Sequence, residues 1–347
     1  MRYLLFLLPL LFIAGCTQTN NSGSTALSNF KCTLPSRPGT VEANITGFPQ
    51  QIVVSSSQDT PITFSVMFTN TMTNPNPGSG PTNVDVTWNY YPNVGPTDSG
   101  NVEIPYASYY QTDNKIVPMI GTDTVSSTIP KQMSVVGAYT GTFSWSFDAK
   151  TVADIPICLG YDPKITGISP EELVCNPDEA PQPCYSASPI EVKIEKVTCI
   201  GGVPAAGSSN KVTGQCMLTL QVVDAYGGLG ECYQHKIIQN ENVTIDNISL
   251  VVDNAEFNMG SDVFKCTGYS IKNGKKVLYL SQTNTIQCII YLSKLSSECG
   301  NGKGTGSNCY INNNVLTVGK TALIKVELSY HYCMARKLGP AQLVRIS

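Results

Sequence analysis

Cysteine and histidine carry most of the chemical reach in this sequence, and their spacing frames what it can do. The chain of 347 residues holds thirteen cysteines and two histidines. Cys232-x-x-His235 and His331-x-Cys333 have spacings that suit tetrahedral zinc. The same sulfurs can instead be oxidised to disulfides, leaving both histidines on polar strand faces. That second reading is adopted, and no metal or cofactor is expected. The sequence contains no Gly-x-Ser-x-Gly, Cys-x-x-Cys or His-Glu-x-x-His, so no catalytic residue is assigned. Cys299-Gly-Asn-Gly-Lys-Gly-Thr-Gly-Ser-Asn-Cys309 is glycine-rich around Lys303. It lacks the Gly-x-x-x-x-Gly-Lys-Ser/Thr order that cradles phosphate before a helix, and reads as a disulfide-closed loop. Asp246, Asp253 and Asp262 do not match a calcium-loop spacing and read as solvated surface.

An odd number of cysteines raises the question of the unpaired one, and the N-terminal residues answer it. Arg2 precedes the apolar run Leu4 to Ala14, interrupted only by Pro9, and small residues sit directly before Cys16. An apolar core of roughly 7–15 residues is a signal-peptide length, too short to span a bilayer. Ile13-Ala14-Gly15-Cys16 resembles the lipobox of prokaryotic lipoproteins. The resemblance implies that Cys16 receives a diacylglyceryl thioether and becomes the mature N-terminus. Twelve cysteines then remain to pair: Cys32, Cys158, Cys175, Cys184, Cys199, Cys216, Cys232, Cys266, Cys288, Cys299, Cys309 and Cys333. Pairing is what an exported chain does with an even set.

The segment after Cys16, TQTNNSGSTALSN, has no charge and no aromatic residue. It cannot bury enough apolar area to offset ordering, so a flexible tether is expected. Its Thr/Asn/Ser/Gly style also resembles archaeal lipoproteins. Charged residues make up 14% of the chain and the formal net charge is −3. With no basic block, nucleic acid is not an expected partner.

Short alternating runs predict an all-β fold. Ile62, Phe64, Val66 and Phe68 share one face, as do Val84, Val86, Trp88 and Tyr90, and Phe143, Trp145 and Phe147. Asp59 to Asn70 resembles the early strand of prokaryotic immunoglobulin-like domains of the CARDB type. Gly141 to Asp148 resembles their closing strand, which often ends in aspartate. The resemblance implies an immunoglobulin-like β-sandwich fold and carries no implication for activity; with the cysteines, the expected fold is tandem disulfide-rich β-sandwiches. The expected layout is a signal peptide at 1–15, a lipidated tether at 16–30 and an N-terminal β-sandwich at 31–160. A Pro-rich linker follows at 161–187, with a short helix starting at Ser169-Pro170-Glu171-Glu172-Leu173. A C-terminal disulfide-rich β domain occupies 188–347 and divides near 255 if it holds two units.

The long cysteine-free stretch between Cys32 and Cys158 suggests that these two close the N-terminal domain. Cys175–Cys184 and Cys299–Cys309 are expected as local closures. Cys216 shares a face with Leu218, Leu220 and Val222, and Cys288 with Ile286, Ile290 and Leu292. Both should enter a core as inter-sheet bridges, while Cys333 falls on the face opposite Tyr330 and Tyr332 and should bridge to a flanking loop.

Aromatic residues crowd one stretch: Trp88, Tyr90, Tyr91, Tyr106, Tyr109 and Tyr110. Tyr91, Tyr109 and Tyr110 fall at turns or strand ends, where tyrosine offers rigid contact area at small entropy cost. They are the candidate binding residues, set against the plainer role of covering an open sandwich end. Asn20, Asn44, Asn242 and Asn247 each open an Asn-x-Ser/Thr sequon. Together these features point to a non-enzymatic lipoprotein outside the cytoplasm, lipid-anchored to the cell membrane or outer envelope, serving adhesion or an envelope assembly. Its expected partners are the membrane and a surface protein or glycan. The alternative is a carbohydrate- or ligand-binding lipoprotein using the tyrosine-rich surface.

Overall fold

Alternation of apolar and polar side chains produces strands almost everywhere. The computed structural model describes residues 32–75, 82–131, 137–176, 182–201, 212–227, 232–234, 237–239, 242–279, 285–299 and 309–346. Cys16, the expected signal peptide and tether, His235 and the glycine-rich loop lie outside these residues. The first part of the chain forms β1 (Val41–Thr46), β2 (Gln51–Ser55), β3 (Thr60–Asn70), β4 (Asn83–Pro92), β5 (Asp98–Pro105), β6 (Ser108–Tyr110), β7 (Lys115–Val117), β8 (Met119–Ile129) and β9 (Ala138–Leu159). A short helix α1 (Pro163–Thr166) and one 3-10 turn (Pro170–Glu172) follow. The helix expected at Ser169 is therefore a single tight turn, closed by the Glu172 amide donating to the Ser169 carbonyl.

Next come β10 (Cys184–Tyr185), β11 (Ile190–Ile200), β12 (Gln215–Asp224), β13 (Cys232–Gln234), β14 (Ile237–Gln239), β15 (Val243–Val252), β16 (Ala255–Asn258), β17 (Phe264–Thr267), β18 (Ser270–Lys272), β19 (Lys275–Leu278) and β20 (Thr285–Tyr291). Two helices, α2 (Leu292–Cys299) and α3 (Asn313–Val318), precede the last strand, β21 (Lys320–Ile346). Asn312 caps α3, its side chain accepting from the Val315 amide at 2.8 Å.

Strands β9 and β21 dominate the architecture. Strands usually run 3–10 residues, whereas these have 22 and 27. They pair antiparallel from Lys320↔Leu159 to Leu338↔Gly141, with a bulge before Ala341↔Tyr139. At about 3.4 Å per residue, β9 alone would span roughly 70 Å if straight. One ten-stranded sheet grows around this spine, in the order β18-β19-β15-β21-β9-β4-β5, with β2, β10 and β16 attached beside it.

Two smaller sheets lie on the same face of the large one. The first, β1-β3-β8, packs over the β4 and upper β9 region, where Phe64 meets Tyr90 (ring centroids 5.0 Å) and Phe68 meets Phe143 (6.2 Å). The second, β11-β12-β20-β17, covers the lower spine. Odd-numbered residues of β9 face inward along its whole length, from Tyr139 through Phe143 and Thr151 to Leu159. The apolar interior is consequently one large cluster running from Val41 to Ala341, with the Cys158–Cys175 pair apart from it. The stretch resembling a closing strand does not stop at Asp148, and β21 serves both halves of the chain. The boundaries drawn at 160 and 188 cut across this shared sheet.

The segment read as a linker is partly built into the wall. Residues 184–190 are all buried. The Ser36 amide donates to the Tyr185 carbonyl, Gly39 to Ser188, and Thr73 to Ala187. Small residues at the centre of β9, Ala149, Thr151 and Ala153, leave room for this crossing segment. Thr151 is the node there: its hydroxyl bonds the Ser188 hydroxyl (2.8 Å), the Ile190 carbonyl (3.1 Å) and the Tyr330 hydroxyl (2.9 Å).

The same arrangement redirects the disulfides. Cys32 bonds Cys184, and Cys158 bonds Cys175. Neither Cys32–Cys158 nor Cys175–Cys184 forms. The entering chain lies along the buried 184–190 segment, so Cys32 meets Cys184, while Cys158 at the far end of β9 meets the returning connector. Cys199–Cys216 and Cys266–Cys288 join residues directly opposite each other on β11/β12 and β17/β20. They are cross-strand bridges within one sheet, not inter-sheet bridges, although Cys216 and Cys288 are buried as expected. Cys299–Cys309 closes the loop after α2 as expected. Cys333 is disulfide-bonded, and β13 lies close to β21.

Candidate functional site

The aromatic stretch divides once folded. Trp88 and Tyr90 are core residues. Trp88 lies directly over Gly100 across the β4–β5 pair, and a Cβ at Gly100 would come within 2.6 Å of the indole. Its Nε1 donates to Asp123 Oδ2 at 2.8 Å. Tyr90 stands over Gly141, and burial pushes its phenol well above the ordinary range, with the buried Tyr139 hydroxyl beside it adding to the effect.

The three candidate binding tyrosines do not form one surface. Tyr91 sits half-buried at the end of β4, opposite Thr142 of β9. Tyr109 and Tyr110 belong to the β6–β7 hairpin, which follows the other end of β5. The length of β5, roughly 24 Å at 3.4 Å per residue, separates the two places. Tyr109 donates to Asn114 at 3.2 Å, and Tyr110 is 54% exposed. Sequence proximity grouped them because a hairpin returns the chain, and its return here carries Tyr109 and Tyr110 to the opposite end.

A polar groove instead marks the outer face of the shared sheet. Its cavity is about 480 Å³, open to solvent, with Tyr106, Asp148, Lys150, Asn242, Ser329 and His331 among its lining. Register explains the grouping: Asp148 faces His331 and Lys150 faces Ser329 across β9 and β21, all on the side away from the core. Asn242 and Thr244 approach from the start of β15, which pairs with β21. His331 Nδ1 lies 2.8 Å from Asp148 Oδ1. That hydrogen bond holds the Asp148 carboxyl below its usual range.

Lys150 pairs with Glu327 at 2.7 Å and stands 4.0 Å from Asp246, whose other partner is the Ser329 hydroxyl. Burial raises the Tyr106 phenol above its ordinary value, and Asp85 adds to the shift. These residues form an alternating array of acids, a base, hydroxyls and an amide, suited to hydrogen-bonding a polyhydroxylated or ionic surface. The signal in the sequence was the alternation Asp148/Lys150 against Glu327/Ser329/His331, legible only once the register is known.

The other candidate residues are dispersed. Asp253 at the β15–β16 turn binds Lys320 at 2.5 Å, and Asp262 lies 3.8 Å from Lys265. With Asp246 tied to the groove, the three aspartates do not converge. Among the described residues no group of three or more His, Cys, Asp or Glu side chains could hold a metal ion, and no helix is long and apolar enough to cross a membrane.

Compared with known proteins, the chain matches no family model and no curated protein.

Proposed function

We propose that this chain is a lipid-anchored, non-enzymatic protein working outside the cytoplasm, as a structural or adhesive part of a surface assembly. One observation carries the reading: two layered halves are fused through β9 and β21 into a single wall, and the chain entering from the tether is fastened covalently to that wall by Cys32–Cys184. Such a body suits holding a fixed shape at a membrane surface. Five bridges among the described residues fit an oxidising compartment. The tandem immunoglobulin-like and CARDB-type description and the lipobox at Cys16 belong to this proposal.

A second reading is a ligand-binding lipoprotein, now resting on the outer groove rather than on Tyr91, Tyr109 and Tyr110. Crosslinking in native envelopes followed by co-purification distinguishes the two. A stoichiometric protein partner supports the assembly role. A glycan array and thermal-shift screen yielding a saturable small ligand, with no protein partner, overturns it.

A further inference from the structure

Three of the four Asn-x-Ser/Thr sequons lie within the described residues, and the fold treats them very differently. Asn242 sits at the groove, with its side-chain oxygen buried and without a hydrogen-bond partner. Asn247 is half-buried beside a register shift in β15, a strand paired with β21 on one side and with β16 and β19 on the other. The hydroxyl residue of its sequon, Ser249, is fully buried and donates to Glu256 at 2.6 Å. An enzyme reading either sequon would have to open the central sheet.

Asn44 is the opposite case. It lies on β1, a six-residue strand paired only with β3, so that one edge of β1 is unpaired in its sheet. Val41 and Ala43 point inward while Glu42, Asn44 and Thr46 point to solvent. Asn44 and Thr46, two residues apart in an extended strand, therefore display their side chains on the same exposed face. No side-chain hydrogen bond ties either of them among the described residues. Thr46 is the last residue of the strand, and Gly47 follows with φ +78° and open space around it. The acceptor amide and the hydroxyl that a sequon-reading enzyme needs are thus both free, at the end of an edge strand.

We infer that the folded protein is an acceptor for N-linked oligosaccharide transfer at Asn44, and not at Asn242 or Asn247. In this reaction the Asn44 Nδ2 forms an N-glycosidic bond to the anomeric carbon of a lipid-pyrophosphate-linked oligosaccharide. The sugar–phosphate bond breaks, lipid pyrophosphate leaves, and the amide loses one proton. A glycan there would cover the outer face of β3, where Asn44 and Thr46 pair with Met67 and Ser65. It would also shield the open edge of β1, a position where unprotected strands recruit other chains.

The test uses the full mature chain with its disulfides intact and Asn20→Gln introduced to remove the tether sequon. The folded protein is incubated with a purified single-subunit oligosaccharyltransferase and a lipid-pyrophosphate-linked oligosaccharide. Site occupancy is then read by peptide mass spectrometry. Occupancy at Asn44 should exceed that at Asn242 and Asn247 at least tenfold, and Asn44→Gln should abolish it. The reduced, unfolded chain should lose this selectivity. Comparable occupancy at Asn242 or Asn247 in the folded protein, or none at Asn44 in the folded protein, overturns the inference.

Discussion

Replacing Cys32 and Cys184 together by serine opens the longest of the covalent loops in the described structure, with a sequence separation of 152. In the chain-entropy account the cross-link lowers the entropy of the unfolded chain by about 2.1 + 1.5R ln n cal/mol/K. For this loop that amounts to about 5 kcal/mol at 25 °C, and the nested Cys158–Cys175 bridge trims it only slightly. For Cys299–Cys309, with a separation of 10, the same expression gives about 2.7 kcal/mol. The C32S/C184S variant should therefore lose about 2 kcal/mol more stability than C299S/C309S. Equilibrium guanidinium unfolding, followed by tryptophan fluorescence and far-UV circular dichroism under non-reducing conditions, measures both. Equal losses would refute the reasoning, because residues 32–40 would then be dispensable to the shared wall. Non-reducing peptide mapping of the parent protein gives an independent check: Cys32 linked to Cys158 would remove the premise.

Three further perturbations probe the interior. Thr151→Val removes the hydroxyl joining Ser188, Ile190 and Tyr330, and should cost about 1–3 kcal/mol because buried partners are left unmatched. A double-mutant cycle with Tyr330→Phe should show coupling, and strict additivity would contradict the network. Gly100→Ala forces a methyl against the Trp88 indole and should cost about 1–3 kcal/mol by overpacking, with a changed tryptophan emission; an unchanged spectrum and midpoint would contradict the contact. Burial raises the Tyr330 phenol to about 12, so the native state keeps a proton that the unfolded chain releases near pH 10. Stability should then be intact below pH 10 and fall as pH rises from 10 towards 12, by about 1.4 kcal/mol per pH unit for this group. Tyr90 and Tyr185, also raised by burial, should steepen the fall. A flat stability profile across that window in denaturant titrations contradicts the assignment.

Period-two patterning made the strands and their inner faces legible. Ile62, Phe64, Val66 and Phe68 are all buried on β3, and Cys216, Leu218, Leu220 and Val222 on β12. Alternation reports which side of a strand is apolar, but it is silent about which strand lies alongside. The long spine was hidden because its middle is small and polar: Ala149, Thr151 and Ala153 read as the end of a strand, whereas they accommodate the crossing 184–190 segment. Disulfide partners followed from that crossing, so separation along the chain misdirected Cys32 and Cys158. The groove was hidden for the same reason, since Asp148 and His331 are far apart in sequence and meet only through the β9–β21 register. The tyrosine cluster misled in the other direction, because neighbours in sequence were carried to opposite ends of β5.

A body fixed to a membrane through its first mature cysteine would carry the lipid on that residue, where mass spectrometry can find it. Intact-mass and N-terminal peptide mass spectrometry should be applied to the protein isolated from native envelopes. The expected chain begins at Cys16, with a diacylglyceryl thioether on its sulfur and the remaining cysteines oxidised. A chain cleaved elsewhere, or one carrying Cys16 as a free thiol or in a disulfide, would contradict it.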